Sequence, residues 1–196
     1  MEQEQEANLS VLDFSRATTD RYGLATDLVE ALHDVGFLVL INVPGSDPST
    51  LHRACEWLFS LPKELKMDIM RKRWNPINSN VYRGFFPADP TNSSYKEAFE
   101  LGLDLPSADP DIVAGNVFYE DPPWPREDGT FPFKTIARDY FNKMQSTSVE
   151  IMRLIALGLG ENENVFDKMF CSKPLSTLRF LHYPPREGKI LQISTN

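Results

Sequence analysis

The sequence predicts an α+β fold, and three observations carry that reading. Phe133, Ile136, Ala137, Tyr140, Phe141, Met144, Ser148, Ile151, Met152, Ile155 and Leu159 recur at spacings of three and four, the signature of one long helix. Five short runs, 9–14, 37–43, 96–106, 175–183 and 189–194, are rich in apolar residues or alternate with a period of two, as strands do. The order is strand, helix, strand, helix, loop, strand, long helix, strand, strand, so the last two strands follow one another directly.

Residues 1–8 are polar and acidic and are expected to form a tail. "LSVLDF" (Leu9 to Phe14) reads as a short strand. From Asp20 the residues Tyr22, Ala25, Leu28, Val29, Leu32 and Val35 form an apolar helical face, with Thr19 or Asp20 as N-cap and Gly36 as the stop. "FLVLINV" (Phe37 to Val43) is continuously apolar and is expected to be a buried strand closed by Pro44-Gly45. A second helix opens at Asp47 or Ser49, with Pro48 in its first turn and Leu51, Ala54, Cys55 and Leu58 toward the core. A further helical turn follows Pro62. Residues 73–95 are loop-rich, with at most a short strand around Tyr82 to Phe85. "KEAFELGLDLP" alternates Ala98, Glu100 and Gly102 against Phe99, Leu101 and Leu103, a half-buried strand. Pro106 to Pro132 reads as connection, Gly158 and Gly160 end the long helix, and "NVFDKMF" is a short helix. "LSTLRFLHY" and "KILQIS" are strands joined by the turn "PPREGK".

The bulk numbers narrow the function classes. A chain of 196 residues suits one domain and buries roughly 70% of its unfolded surface, so it needs no disulfide staples. A net charge of −8 argues against a general nucleic-acid binder, and the longest basic cluster, "MRKRW" (Met70 to Trp74), reads as a solvated helix end. Cys55 and Cys171 form no CxxC pair, which suits a reducing compartment and excludes a cysteine zinc site. The N-terminus lacks the apolar segment of a secretory signal, and no apolar stretch approaches the ~18 residues of a membrane span. The expectation is a cytoplasmic protein without nucleic-acid or membrane partners.

The chain resembles the isopenicillin N synthase-like family of Fe(II)/2-oxoglutarate-dependent dioxygenases, and the likeness is collinear. "LSVLDF", "DLVEALHDVGFLVLINVP", "CEWLFSLPKELKM", "YRGFFP" with "YKEAFELG", "PPWP", the long helix into "LGLG", and "STLRFLHYPP" keep the family order. The resemblance implies helices and edge strands flanking an incomplete double-stranded β-helix, or jelly roll. Residues 9–110 correspond to the family's N-terminal region, and 111–196 to a connecting loop, the long helix and the first core strands. It further implies Fe(II) held by two His and one carboxylate, 2-oxoglutarate as cosubstrate, and oxidation of a small organic molecule.

The metal ligands of that family are not found by pattern. They require a His two residues before an Asp or Glu, so that both side chains share a strand face. His33, His52 and His182 are each followed by something else, and no residue of the chain is assigned as catalytic or as a metal ligand. Tyr183 matches the second tyrosine of the family's "NYYPP" pattern, which implies contact with 2-oxoglutarate, while Leu181 stands where that pattern has asparagine. Alternation puts Arg179, Leu181 and Tyr183 on one face and Leu178, Phe180 and His182 on the other. Arg179 is therefore a candidate for a substrate or cosubstrate carboxylate, and Arg83 in "YRGFFP" for an anionic substrate. The structural alternatives are a core Tyr183, an Arg179 paired with a structural Glu, and a surface Arg83. Two readings of the whole follow: the N-terminal part of such an oxygenase, inactive alone, or a non-catalytic binding remnant of the family.

Overall fold

The structure is a computed structural model that describes residues 9–170 and 173–185. The strand expected over 189–194 and most of the turn before it lie outside the described residues. The chain divides into two compact units: residues 1–48 with 139–174, and residues 49–138 with 175–196.

In the first unit β1 (Ser10–Asp13) and β2 (Leu38–Ile41) pair in parallel, Ser10 opposite Leu38 and Asp13 opposite Ile41. The helices α1 (Arg16–Thr19) and α2 (Arg21–Asp34) lie between them in sequence. Asp20 caps α2, its side chain accepting a hydrogen bond from Gly23 N, as the sequence predicts. The buried face of α2 is nevertheless Leu24, Ala25, Leu28 and Ala31, while Tyr22 is 75% exposed and Val35 also faces solvent. Both sets recur at helical spacing, and the one centred on Leu24 and Leu28 meets the core of Phe14, Ala17 and Leu154. β2 is not buried on both faces as its apolar run predicts. Leu38 and Leu40 pack on the core, whereas Phe37, Val39 and Ile41 are exposed.

The second unit holds α3 (Pro48–Ser60) from Ser49 onward and α4 (Lys63–Asp68), with Pro62 as the α4 N-cap. Ala54 and Leu58 are buried, and burial pushes the Cys55 thiol up from its ordinary pKa, which leaves it poorly nucleophilic. The sheet here is antiparallel, in the order β3 (Gly84–Phe86), β4 (Glu97–Leu101), β5 (Leu178–His182). β4 is buried on both faces, not one, from Ala98 through Leu101. The connection after β4 contains a helical turn, α5 (Pro110–Val113), and a 3-10 turn at Val117–Tyr119, which its Pro and Gly content conceals in the sequence.

That connection leads into the long helix α6 (Phe133–Gly158), whose residues 139–158 belong to the first unit. Its end is a glycine stop: Gly160 takes φ +77, with Gly160 N donating to Leu157 O and Glu161 N to Ala156 O. Leu154 and Ala156 are fully buried there, and Leu159, expected on the apolar face, is exposed. Gly158 lies so close to α2 that a Cβ on it would stand 2.3 Å from Ala25 O. The short helix expected at 164–170 is reduced to a 3-10 turn, Asp167–Met169. No helix of the described residues is long and apolar enough to cross a membrane.

Gly158→Ala is expected to destabilise the chain by about 1–3 kcal/mol through overpacking against α2. Leu159→Ala, one residue on and exposed, is expected to change stability by less than about 0.5 kcal/mol. Urea denaturation of both variants checks this, and equal effects would contradict the packing described.

Candidate functional site

The register of the three-stranded sheet sorts its side chains into two faces. Phe85, Phe99 and Phe180 stand opposite one another across β3, β4 and β5, and all three are buried. Phe133 packs on two of them, its ring 5.3 Å from Phe180 and 6.0 Å from Phe99, with Trp124 6.5 Å away. Such offset and tilted pairs add to the burial of the rings themselves. The other face carries the rows Gly84–Glu100–Arg179 and Phe86–Ala98–Leu181. The expected alternation of β5 therefore holds: Phe180 points into the core, and Arg179 and Leu181 lie on the opposite, more exposed face. Tyr183 follows β5 and is 62% exposed.

Glu100 is the unusual member of the polar face, since its side chain is only 2% exposed. A carboxylate that deep stays charged only with cations against it. Arg71 and Arg179 both pair with it, one on each carboxylate oxygen. Arg179 thus has the structural partner that the sequence leaves as an alternative, yet 46% of its side chain remains exposed. Arg71 also lies 5.0 Å from the centre of the Phe86 ring and 5.9 Å from Tyr82. "MRKRW" is accordingly no solvated helix end: α4 stops at Asp68, and Arg71 N donates to Phe85 O beside β3. Glu100 draws Arg71 inward, a pairing 29 residues apart that no local pattern reveals.

Above this face is a cavity of about 280 Å³, lined by Arg71, Arg73, Trp74, Phe86, Asp89, Lys96, Glu100 and Arg179 among others. Trp74 and Phe86 stack 5.8 Å apart with an interplanar angle of 23°, and the Arg73 guanidinium sits 5.2 Å from the centre of the Trp74 ring.

Arg83 is not at the surface and does not line this cavity. It is 2% exposed, and its guanidinium donates to Leu101 O (3.0 Å), Thr177 Oγ1 (2.8 Å) and Phe118 O (3.1 Å). Burial holds its pKa below the usual guanidinium value. Its fork so fills the space beside Gly102 that a Cβ there would stand 2.3 Å from the guanidinium. The backbone around it is fixed by Glu120, whose carboxylate accepts from the N–H groups of Val81, Tyr82 and Arg83 at 2.8, 2.9 and 3.0 Å. No sequence signal singles out Glu120, because a carboxylate receiving successive amides from a distant loop leaves no spacing pattern. The guanidinium that the sequence offers to an anionic substrate is taken up by contacts within the chain.

His182 lies on the far side of β5 from Arg179, its Nδ1 2.8 Å from Glu97 Oε1. Lys66 reaches the same carboxylate at 3.5 Å. Glu97 and Glu100, three residues apart on β4, thus serve opposite faces of the strand. His33 pairs with its neighbour Asp34, and His52 with Glu56 one turn on. Among the described residues no three His, Cys, Asp or Glu side chains come together in a way that suits a metal ion. The described residues bring no two His and one carboxylate together as an iron centre would need, and no step through iron is assigned to them.

Comparisons with known proteins agree with one another. Residues 9–127 match the family described as the N-terminal region of the non-haem dioxygenase in morphine synthesis. The chain is 33% identical to the clavatol oxidase claD of Penicillium crustosum, over 94% of this chain and 61% of that protein. It is 30% identical to the isopenicillin N synthase of Streptomyces clavuligerus, over 82% of this chain and 49% of that one. It therefore spans about half to three fifths of these relatives' length. A C-terminally truncated Neurospora crassa protein, solved in apo form, superposes with a TM-score of 0.69 at 26% identity, covering 95% of this chain and 66% of that one. The full-length form of that protein, solved with α-KG and 5-formyluracil, gives a TM-score of 0.65 at 26% identity, covering 92% and 54%.

Replacing Arg83 by Met is expected to cost about 2–4 kcal/mol of stability, because two carbonyls and a hydroxyl lose a buried charged donor. Arg83→Lys is expected to recover little, since one ammonium cannot replace a planar fork. A denaturation midpoint unchanged in both would return Arg83 to the set of ligand contacts.

Proposed function

We propose a function on one premise: the chain belongs to the non-haem dioxygenase family, through that family's N-terminal region. The family uses Fe(II) and 2-oxoglutarate. In our reading the chain is the N-terminal part of an Fe(II)/2-oxoglutarate-dependent oxygenase that oxidises a small organic molecule in the cytoplasm. The β3–β4–β5 sheet is then the beginning of a double-stranded β-helix, whose inner face is the one bearing Arg179, Leu181 and Tyr183.

The observation that supports this most is that Arg179, Leu181 and Tyr183 stay exposed on that face, where β4 beside them is buried. The opposite face is closed by three phenylalanines, while Arg179 and Tyr183 stay open to solvent, Arg179 beside a cation-lined cavity. Tyr183 would donate its phenol hydrogen to a carboxylate of 2-oxoglutarate, and Arg179, already anchored by Glu100, would meet an acidic group of a substrate. Leu181 between them offers no side-chain hydrogen bond, so cosubstrate contact from this strand falls to Tyr183. The iron ligands come from outside these 196 residues, because no His here precedes an Asp or Glu by two positions.

The isolated chain, given Fe(II), ascorbate and 2-oxoglutarate, is expected to form no succinate above a no-protein control. Succinate well above that level would overturn the proposed division of the site. In a protein that joins this chain to a His-x-Asp…His segment, Tyr183→Phe is expected to raise the apparent KM for 2-oxoglutarate about tenfold, the loss of one hydrogen bond to a charged group. An unchanged KM would make Tyr183 a packing residue.

A further inference from the structure

The cavity above Glu100 has a charge balance that the fold alone does not require. Four cations line it, Arg71, Arg73, Lys96 and Arg179, against two carboxylates, Asp89 and Glu100. Both carboxylates are engaged. Glu100 is held by Arg71 and Arg179, and Asp89 accepts from Thr91 N (2.9 Å) and Thr91 Oγ1 (2.6 Å) in its own turn. Those two hydrogen bonds hold the Asp89 carboxyl below its usual range, and the field of Arg73 adds a smaller influence. Among the described residues neither Arg73 nor Lys96 pairs with a carboxylate at salt-bridge distance, although Arg73 lies over the Trp74 ring, and Arg71 Nε is buried without an acceptor. A surplus of positive charge in a concave site favours an anion.

The second property is shape. Trp74 and Phe86, stacked on each other at 23°, bring aromatic surface to the cavity lining beside the cations, with Arg73 over the Trp74 ring and Arg71 over the Phe86 ring. At about 280 Å³ the space lies just below the range of ~300–1,000 Å³ typical of small-molecule pockets, which suits one ring and a short acidic group. A bare inorganic anion would leave the aromatic wall unused, and a neutral ring would leave the cations unpaired.

We propose that this cavity binds a small planar aryl carboxylate, its ring against Trp74 and Phe86 and its carboxylate on Arg179 and Lys96, and that such acids are the substrate class of the site. The assignment as substrate rests on the oxygenase reading; the binding does not. Arg179 is suited to the contact because Glu100 orients its guanidinium while much of it remains exposed. Lys96 adds a second charge from the residue before β4.

The test is titration of the 196-residue chain with benzoate, followed by ligand-observed NMR, beside benzyl alcohol, acetate, inorganic phosphate and 2-oxoglutarate. Benzoate is expected to bind at least tenfold more tightly than each of the others. Lys96→Met is expected to weaken benzoate about tenfold or more, the loss of one charge-assisted hydrogen bond. Trp74→Ala is expected to weaken it without strengthening acetate, and Lys168→Met, exposed and in the other unit, to leave it unchanged. Should Trp74→Ala fail to fold, Lys96→Met and the ligand series carry the test. Benzyl alcohol, acetate or phosphate binding as well as benzoate would overturn the proposal, as would indifference to Lys96→Met. Tighter binding of 2-oxoglutarate at the same residues would overturn it too, by making the cavity a cosubstrate site. Because neither iron nor turnover enters this measurement, its failure leaves the oxygenase reading standing, and failure of the succinate assay leaves the bound acid in place.

Discussion

Everything on the polar face of the β3–β4–β5 sheet depends on one carboxylate. Glu100 sits in the middle strand with 2% of its side chain exposed, so it has given up nearly all contact with solvent. The cost of an unpaired charge at that depth is several kcal/mol, far more than a surface ion pair returns. Two arginines therefore have to come to it. One is its cross-strand partner Arg179, and the other is Arg71, brought in from the segment after α4. That second pairing carries Trp74 toward Phe86 and so builds the cavity wall. Removing the charge from Glu100 alone would leave two arginines crowded over a neutral site, which is why the three side chains act as a unit.

Arg83 solves a different problem with the same residue type. Among the described residues no carboxylate is bonded to its guanidinium, which instead donates to two carbonyls and a hydroxyl from three segments: the end of β4, the 3-10 turn, and the stretch before β5. Meanwhile Glu120 receives the amides of residues 81–83, so main chain and side chain of the same residue are fixed from two directions. The effect is to hold the edge strand β3 and the entry to β5 against the middle strand. Sheet order and the position of Arg179 follow from that clamp.

Where the sequence is legible, the signal is periodic and local. The long helix, the Asp20 cap, the Gly160 stop and the alternation of β5 all rest on spacing within a few residues, and they appear as read. The differences come from partners distant in sequence. "MRKRW" reads as solvated because nothing within a turn pairs with Arg71; its partner is Glu100. Arg83 reads as an exposed loop arginine or a ligand contact because the acceptors that bury it lie 18, 35 and 94 residues away. β2 reads as buried on both faces because an apolar run does not say how many layers cover it, and only its Leu38 and Leu40 are covered. The side of the strand on which Tyr183 falls is a matter of alternation, whereas holding a cosubstrate is a property of a whole site.

The acidity of the chain does not weigh against an anionic ligand. A net charge of −8 governs behaviour at long range, but at physiological salt charges are screened over about 8 Å. Within that distance the cavity's own cations outnumber its carboxylates, and both carboxylates are already engaged by hydrogen bonds and ion pairs. The far acidic residues slow the approach of an anion without cancelling the field it meets on arrival. An excess of Asp and Glu elsewhere also disfavours extended polyanions, which must lie across many surface charges at once. What this arrangement suits is a small acid whose one carboxylate meets Arg179 and Lys96 and whose ring packs beside Trp74 and Phe86.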